Sequence, residues 1–167
     1  TLRAESIDNR NLLDYDLQHL RPWIANLDRN IAALDGCRNP PAIQAIEPIP
    51  QDPIFSPVDV AWQGARDSAL TPLMPALLSD NYSKIDVMIG AYETRMFDLR
   101  REQDRTAGAV EAMRGGSRGA QVCNEALLAL NELKQTELSL VQFTQLLRGG
   151  IQSALTGQRI GADTHAS

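Results

Sequence analysis

The residues in this chain whose types could do chemistry are two histidines, two cysteines and a run of alternating acids and arginines. His19 follows Asp16 by three positions, the i, i+3 spacing that places a carboxylate and an imidazole on one helix face. A metal site inside a helical bundle draws on several such pairs from facing helices. The second histidine, His165, stands alone near the C-terminus, so His19 reads as a surface residue and neither a metal nor another cofactor is expected. Serines and threonines are plentiful, but no GxSxG elbow and no SxxK motif occurs, and a catalytic triad would need a partnered histidine. No Walker loop or dinucleotide fingerprint is present. Gly115, Gly116 and Gly119 lack the preceding strand that would make a phosphate cradle and read as a turn. The chain is therefore read as having no catalytic residues and as not being an enzyme.

Glu93, Arg95, Asp98, Arg100, Arg101, Glu102, Asp104 and Arg105 balance four acids against four arginines. On a helix, Arg100 with Asp104 and Glu102 with Arg105 pair along a solvated face. The same arginines could instead hold a small anion. Gln103 and Thr106 fall on the inward positions of that helix, where a polar side chain either lines a ligand pocket or fixes packing register. Arg95, Arg100, Gln103 and Thr106 are thus the ligand or register positions.

Cys37 and Cys123 give a concrete structural question. In an up-down helical bundle both lie near one pole, so a disulfide is reasonable in an oxidising compartment; two buried free thiols are the alternative. A bond would close a loop of some 86 residues, and chain entropy gives about 4 to 5 kcal/mol as its ceiling.

The elements that would position these residues follow from the apolar spacing. Leu13, Leu17, Leu20, Ile24, Leu27, Ile31 and Leu34 alternate steps of four and three, a seam of period 3.5. It predicts a helix over residues 3–35, kinked or briefly broken near Pro22 and stopped by Gly36. Residues 37–57 hold Pro40, Pro41, Pro48, Pro50, Pro53 and Pro57 among Ile43, Ile46, Ile49, Ile54 and Phe55. So many apolar side chains predict an extended segment packed against the bundle. Ser56 as N-cap, Pro57 and Asp59 start a short helix to about Ala69, and Thr71–Pro72 restarts one through Leu78. Ser79 or Asp80 caps a long helix with Ile85, Met88, Tyr92, Met96, Leu99, Gln103, Thr106, Val110 and Met113 inward. After the glycine turn, Ala126, Leu133, Leu140 and Leu147 recur at sevens on a last helix weakened by Gly149 and Gly150. From Gly157 the chain reads as a flexible polar tail.

Three long helices of about 45 to 55 Å and one short, proline-broken one predict an all-α antiparallel bundle of about four helices. Residues 1–156 form one domain, with 37–57 packed on it and 157–167 as the tail. An open hairpin completed by a second copy is the alternative. Composition agrees: 43% hydrophobic, only 5% aromatic and 22% charged residues suit helix-on-helix packing in a folded chain. A net charge of -5 with scattered basic residues argues against a nucleic-acid partner. No stretch approaches the roughly 20 apolar residues that span a bilayer, so the chain as given reads as soluble, and membrane attachment would come only through a segment preceding Thr1.

Ala61, Trp62 and Gln63, continuing to Asp67, Ser68, Ala69 and Leu70, then Leu77, Leu78, Ser79, Asp80, Asn81 and Tyr82, resemble a family of uncharacterised bacterial envelope proteins. In that family a membrane helix precedes a long helix, a "W...SGAL" type segment and a helix opening with Leu and Tyr. The match covers residues 1–113 in outline, and Ser68 stands where the usual glycine precedes Ala69. The resemblance implies an α-helical periplasmic domain anchored to the inner membrane, and it brings no catalytic residues. The expected function is a non-enzymatic interaction or scaffold domain acting on a protein partner or as a homo-oligomer. The alternative is an extracytoplasmic bundle that senses a small anionic molecule.

Overall fold

A computed structural model of the chain describes residues 1–34, 37, 45–51, 54–116 and 119–161. The chain is an all-α bundle. Its α-helices are α1 (Leu2–Leu34), α2 (Val60–Asp67), α3 (Ala76–Arg114) and α4 (Ala120–Thr156), with a 3-10 turn at Thr71–Leu73; no strand occurs among the described residues. The expected helix stop at Gly36, the residues Pro40, Pro41, Ile43 and Pro53, and His165 lie outside the described residues.

Each long helix buries one stripe stepped by threes and fours. On α3 it runs Tyr82, Ile85, Ile89, Tyr92, Met96, Leu99, Gln103, Thr106, Val110, Met113; on α4, Cys123, Ala126, Leu130, Leu133, Glu137, Leu140, Thr144, Leu147, Ile151, Ala154. The α3 stripe departs from the predicted one only by burying Ile89 more fully than Met88 and by beginning at Tyr82. On α1 the stripe is Ser6, Asn9, Leu13, Asp16, Leu20, Trp23, Leu27, Asn30, Leu34. Three of the seven predicted α1 seam positions are therefore displaced. Leu13, Leu20, Leu27 and Leu34 are buried, but Leu17, Ile24 and Ile31 are half-exposed, and polar residues or Trp23 take their places.

Several helix ends differ from the sequence reading, each for a local reason. Pro22 does not break α1, which is continuous across it. Pro22 and Gln18 are both exposed, so the Gln18 carbonyl that loses its donor faces water. Asp59, not Ser56, is the N-cap of α2, and its side chain makes no capping bond; the Ala61 N–H is met instead by the Glu5 carboxylate at 2.8 Å. α2 ends in a Schellman turn, with Ala69 N–H on the Arg66 carbonyl, Leu70 N–H on the Ala65 carbonyl, and Ala69 itself left-handed at φ 56°. The predicted Thr71–Leu78 helix is only the 3-10 turn. Met74 is extended, as the residue before a proline prefers, and α3 starts at Ala76 and runs through Ser79 and Asp80 rather than being capped by them. α4 passes through Gly149 and Gly150; a Cβ at Gly150 would lie 3.5 Å from the Ile160 side chain and 3.6 Å from Met88 Sδ.

The chain divides into two compact units, each drawing on α1, α3 and α4: one of Thr1–Leu17, Phe55–Thr94 and Gln142–Ser167, the other of Gln18–Ile54 and Arg95–Val141. In the first, the bonds Ser6–Tyr82 and Asp16–Tyr92 share a separation of 76 residues, so α1 and α3 run parallel. Arg10–Gln152 and Asp14–Arg148 run in opposite order, so α4 is antiparallel to α1. In the second, Arg105–Glu132 and Thr106–Ala129 set α3 against α4 antiparallel, and Lys134 pairs with Asp28 at 2.6 Å.

The segment after α1 runs back along it in both units, and asparagines hold it. In the second unit Asn30 accepts the Glu47 N–H at 2.7 Å and donates to the Glu47 carbonyl at 3.0 Å, while Arg29 forks onto the Glu47 carboxylate at 2.8 Å. In the first unit Asn9 makes the same two-bond ring with Val58, and Phe55 N–H reaches Asp16 at 3.4 Å. A proline-rich strand offers few N–H donors, so a side-chain amide suffices to satisfy those it has. Ile46, Ile49 and Ile54 are buried as predicted; Phe55 is not, and tilts against the exposed Tyr15 at 6.3 Å. A third asparagine, Asn81, donates to the Gln158 carbonyl and accepts the Ile160 N–H, so residues 157–161 of the predicted tail are held on α3. Residues 162–167 lie outside the described ones.

Candidate functional site

Cys37 and Cys123 are joined by a disulfide, with their Cα atoms 5.7 Å apart and 86 residues between them in sequence. It closes the second unit by linking the residue just past α1 to the first turn of α4. Cys37 adopts a left-handed backbone, φ 61°, which a cross-link can hold but an isolated L-residue disfavours.

The four ligand or register positions all belong to the second unit, and the structure sorts them. Thr106 is fully buried and donates to the Ala129 carbonyl of α4 at 3.2 Å, which is a register contact. Arg95 lines a groove of about 360 Å³ with Asp98, Arg101, Glu102, Gln135, Thr136 and Ser139. The charges there are largely matched: Arg101 pairs with Asp98 at 3.3 Å and with Glu102 at 3.6 Å. Glu102 also pairs with Arg105 at 3.5 Å, as the spacing predicts.

Arg100 and Gln103 line a different cleft, also of about 360 Å³, between the extended segment and α3, with Gln51, Ile54, Met96, Leu99 and Asp104. The predicted Arg100–Asp104 pair does not form. An arginine placed N-terminal to an acid is the weaker orientation of an i, i+4 pair, and Arg100 instead reaches the Ile54 carbonyl at 3.5 Å. Gln103 is 7% exposed, and among the described residues its Nε2 has no hydrogen-bond partner. An unmet buried amide donor costs about 1 to 3 kcal/mol.

No family model, no curated protein and no solved structure matches the chain. The geometry therefore carries the functional argument.

Among the buried polar positions outside those four are three that stand on the helix stripes. Asp16, fully buried in the first unit, accepts from the Tyr92 hydroxyl at 2.8 Å as well as from Phe55 N–H. Burial and the adjacent Asp16 push the Tyr92 phenol far above its ordinary range, so it remains a donor. Among the described residues no group of three or more His, Cys, Asp or Glu could hold a metal ion. Glu137, 1% exposed in the second unit, leaves Oε2 without a partner, and burial pushes its carboxyl up to about 8. The third is Asn30. The only signal for these positions is their heptad spacing, which places polar letters on the buried stripe.

The residues behind the family resemblance meet in the first unit. Trp62 stacks on Tyr82 with centroids 5.9 Å apart, the Tyr82 hydroxyl bonds Ser6, and Ala69 makes the left-handed end of α2. Beside Trp62, Asp59 and Asp86 share a hydrogen bond that holds Asp59 below and Asp86 above the ordinary carboxylate value. The Trp62–Tyr82 stack ties α2 to α3, and the Ser6–Tyr82 bond ties α3 to α1.

Proposed function

We propose that this chain is a non-enzymatic interaction domain of a bacterial envelope protein, lying in the periplasm, anchored to the inner membrane through a segment preceding Thr1, and working by self-association or by docking a protein partner. The resemblance at Trp62 to Tyr82 supports the envelope assignment. The disulfide supports an oxidising compartment. No helix among the described residues is long and apolar enough to cross a membrane.

The observation that carries the interaction reading is the distribution of exposed apolar side chains. Single exposed leucines are ordinary on any surface. Here Val58, Val60, Leu70, Leu73 and Val87 are all half or more exposed within one stretch of the first unit, Leu73 at 81%. Exposed apolar side chains of this size around α2 and the start of α3 support a protein-facing surface. Sedimentation velocity of the disulfide-intact chain from low to high micromolar concentration tests it. Self-association that is lost in a Val60→Ser/Leu73→Ser/Val87→Ser variant is expected. A chain that stays monomeric, and that a photo-crosslinker at position 73 joins to no envelope protein in cells, would overturn the reading.

A second reading, a sensor of a small anionic molecule, is favoured by a different observation: the cleft where, among the described residues, Arg100 has no carboxylate partner and Gln103 has an unmet donor.

A further inference from the structure

The cleft between the extended segment and α3 supports a sharper statement of ligand class, one that rests on the sensor reading. Its lining is divided chemically. Arg100 makes no ion pair among the described residues, and neither does Asp104, although the two are one helical turn apart and border the same space. Between them Gln103, more than nine-tenths buried, presents an Nε2 donor without a partner. Ile54, Met96 and Leu99, all buried, make the apolar wall.

A cleft for a simple anion needs donors and cations, and an unpaired carboxylate beside it works against binding. A cleft for an apolar molecule needs neither charge. We propose that this cleft binds a small zwitterion of the α-amino acid class with an apolar side chain. Arg100 and the Gln103 amide take the carboxylate, Asp104 takes the ammonium, and the ligand side chain lies on Ile54, Met96 and Leu99. The spacing is suitable. Residues four apart on α3 are offset by about 6 Å along the axis, so both long side chains can reach one small head group in the cleft they border. The volume, about 360 Å³, is at the small end of ligand sites, as a free amino acid requires. Binding would also satisfy the Gln103 donor, which no described residue does.

The test is isothermal titration calorimetry on the whole, disulfide-intact chain with four probes: L-leucine, 4-methylpentanoate (leucine without its ammonium), 3-methylbutylamine (leucine without its carboxylate) and inorganic phosphate. Leucine is expected to bind, and each singly charged analogue to bind about tenfold or more weakly, the loss for one charge-assisted bond. Asp104→Asn should abolish the preference for leucine over 4-methylpentanoate, and Arg100→Ala should weaken leucine and 4-methylpentanoate alike. Both are exposed positions, so circular dichroism should show an unchanged helical fold. Gln103→Leu should remove leucine binding without loss of thermal stability. If 4-methylpentanoate or phosphate binds as well as leucine and Asp104→Asn changes nothing, the zwitterion assignment is overturned while the small-anion reading stands. If none of the four probes binds at millimolar concentration, both fall.

Discussion

Glu137 sits on the buried stripe of α4 between Leu133 and Leu140, where the spacing calls for another apolar residue. Its carboxyl is pushed up to about 8 by burial, with no charged neighbour among the causes. An unfolded glutamate titrates near 4.5, so between that value and about 8 the folded protein holds a proton that the unfolded chain releases. The folded state then binds more protons, and stability must fall as pH rises through this window and level off above it. Glu137→Leu removes the titrating group and an unpartnered buried oxygen together. Its unfolding free energy from urea titration should be nearly flat from pH 5 to 8, and at pH 8 it should exceed the parent's by about 2 to 4 kcal/mol. A parent protein whose stability rises across this interval would show that Glu137 is ionised and matched. Asp16 shows a different arrangement: a buried carboxyl that accepts from Tyr92 Oη and Phe55 N–H among its contacts.

At the level of elements, the long helices were legible because burial repeats every three and four residues, a period that no loop or strand imitates. What was not legible is which polar letters belong to the stripe. Reading apolar residues alone gave Leu17, Ile24 and Ile31 to the α1 seam, whereas the buried positions include Asn9, Asp16 and Asn30. The reason is the partner. Those side chains face an extended, proline-rich segment whose backbone N–H and carbonyl groups need polar company, not another helix with an apolar stripe. The segment's packing was foreseeable from its isoleucines; its fastening by asparagines was not. Of the site, Arg100 and Gln103 were marked by type and position, but their joining with Gln51 and Ile54 depends on the course of the segment. The fastening makes a prediction. Asn30→Ala deletes two bonds to Glu47 and leaves its N–H and carbonyl unmet, and should cost about 2 to 3 kcal/mol in thermal or urea unfolding. Hydrogen exchange at Glu47 should accelerate. An unchanged Glu47 exchange rate would mean that Asn30 does not hold the segment.

For the molecule as a whole, the Cys37–Cys123 link is the covalent cross-link between the end of α1 and the start of α4, and it is where compartment and stability meet. It closes a loop of 86 residues, and by chain entropy such a loop is worth about 4 to 5 kcal/mol at most. Cys37 meanwhile holds a left-handed backbone, φ 61°, which costs an L-residue about 1 to 2 kcal/mol when nothing enforces it. Breaking the bond should therefore release backbone strain as well as the cross-link, and two variants separate the terms. Cys37→Ser/Cys123→Ala loses the link and keeps an L-residue at position 37; Cys37→Gly/Cys123→Ala loses the link but accepts the left-handed geometry. Both should melt below the oxidised parent, by about 10 °C for a chain of this size. The glycine variant should equal or slightly exceed the serine one, because glycine's larger unfolded entropy offsets part of the relief. The parent treated with reductant should fall to the level of the serine variant. If reduction leaves the melting temperature unchanged, the link contributes nothing to this fold, and the oxidising compartment inferred from it loses its support.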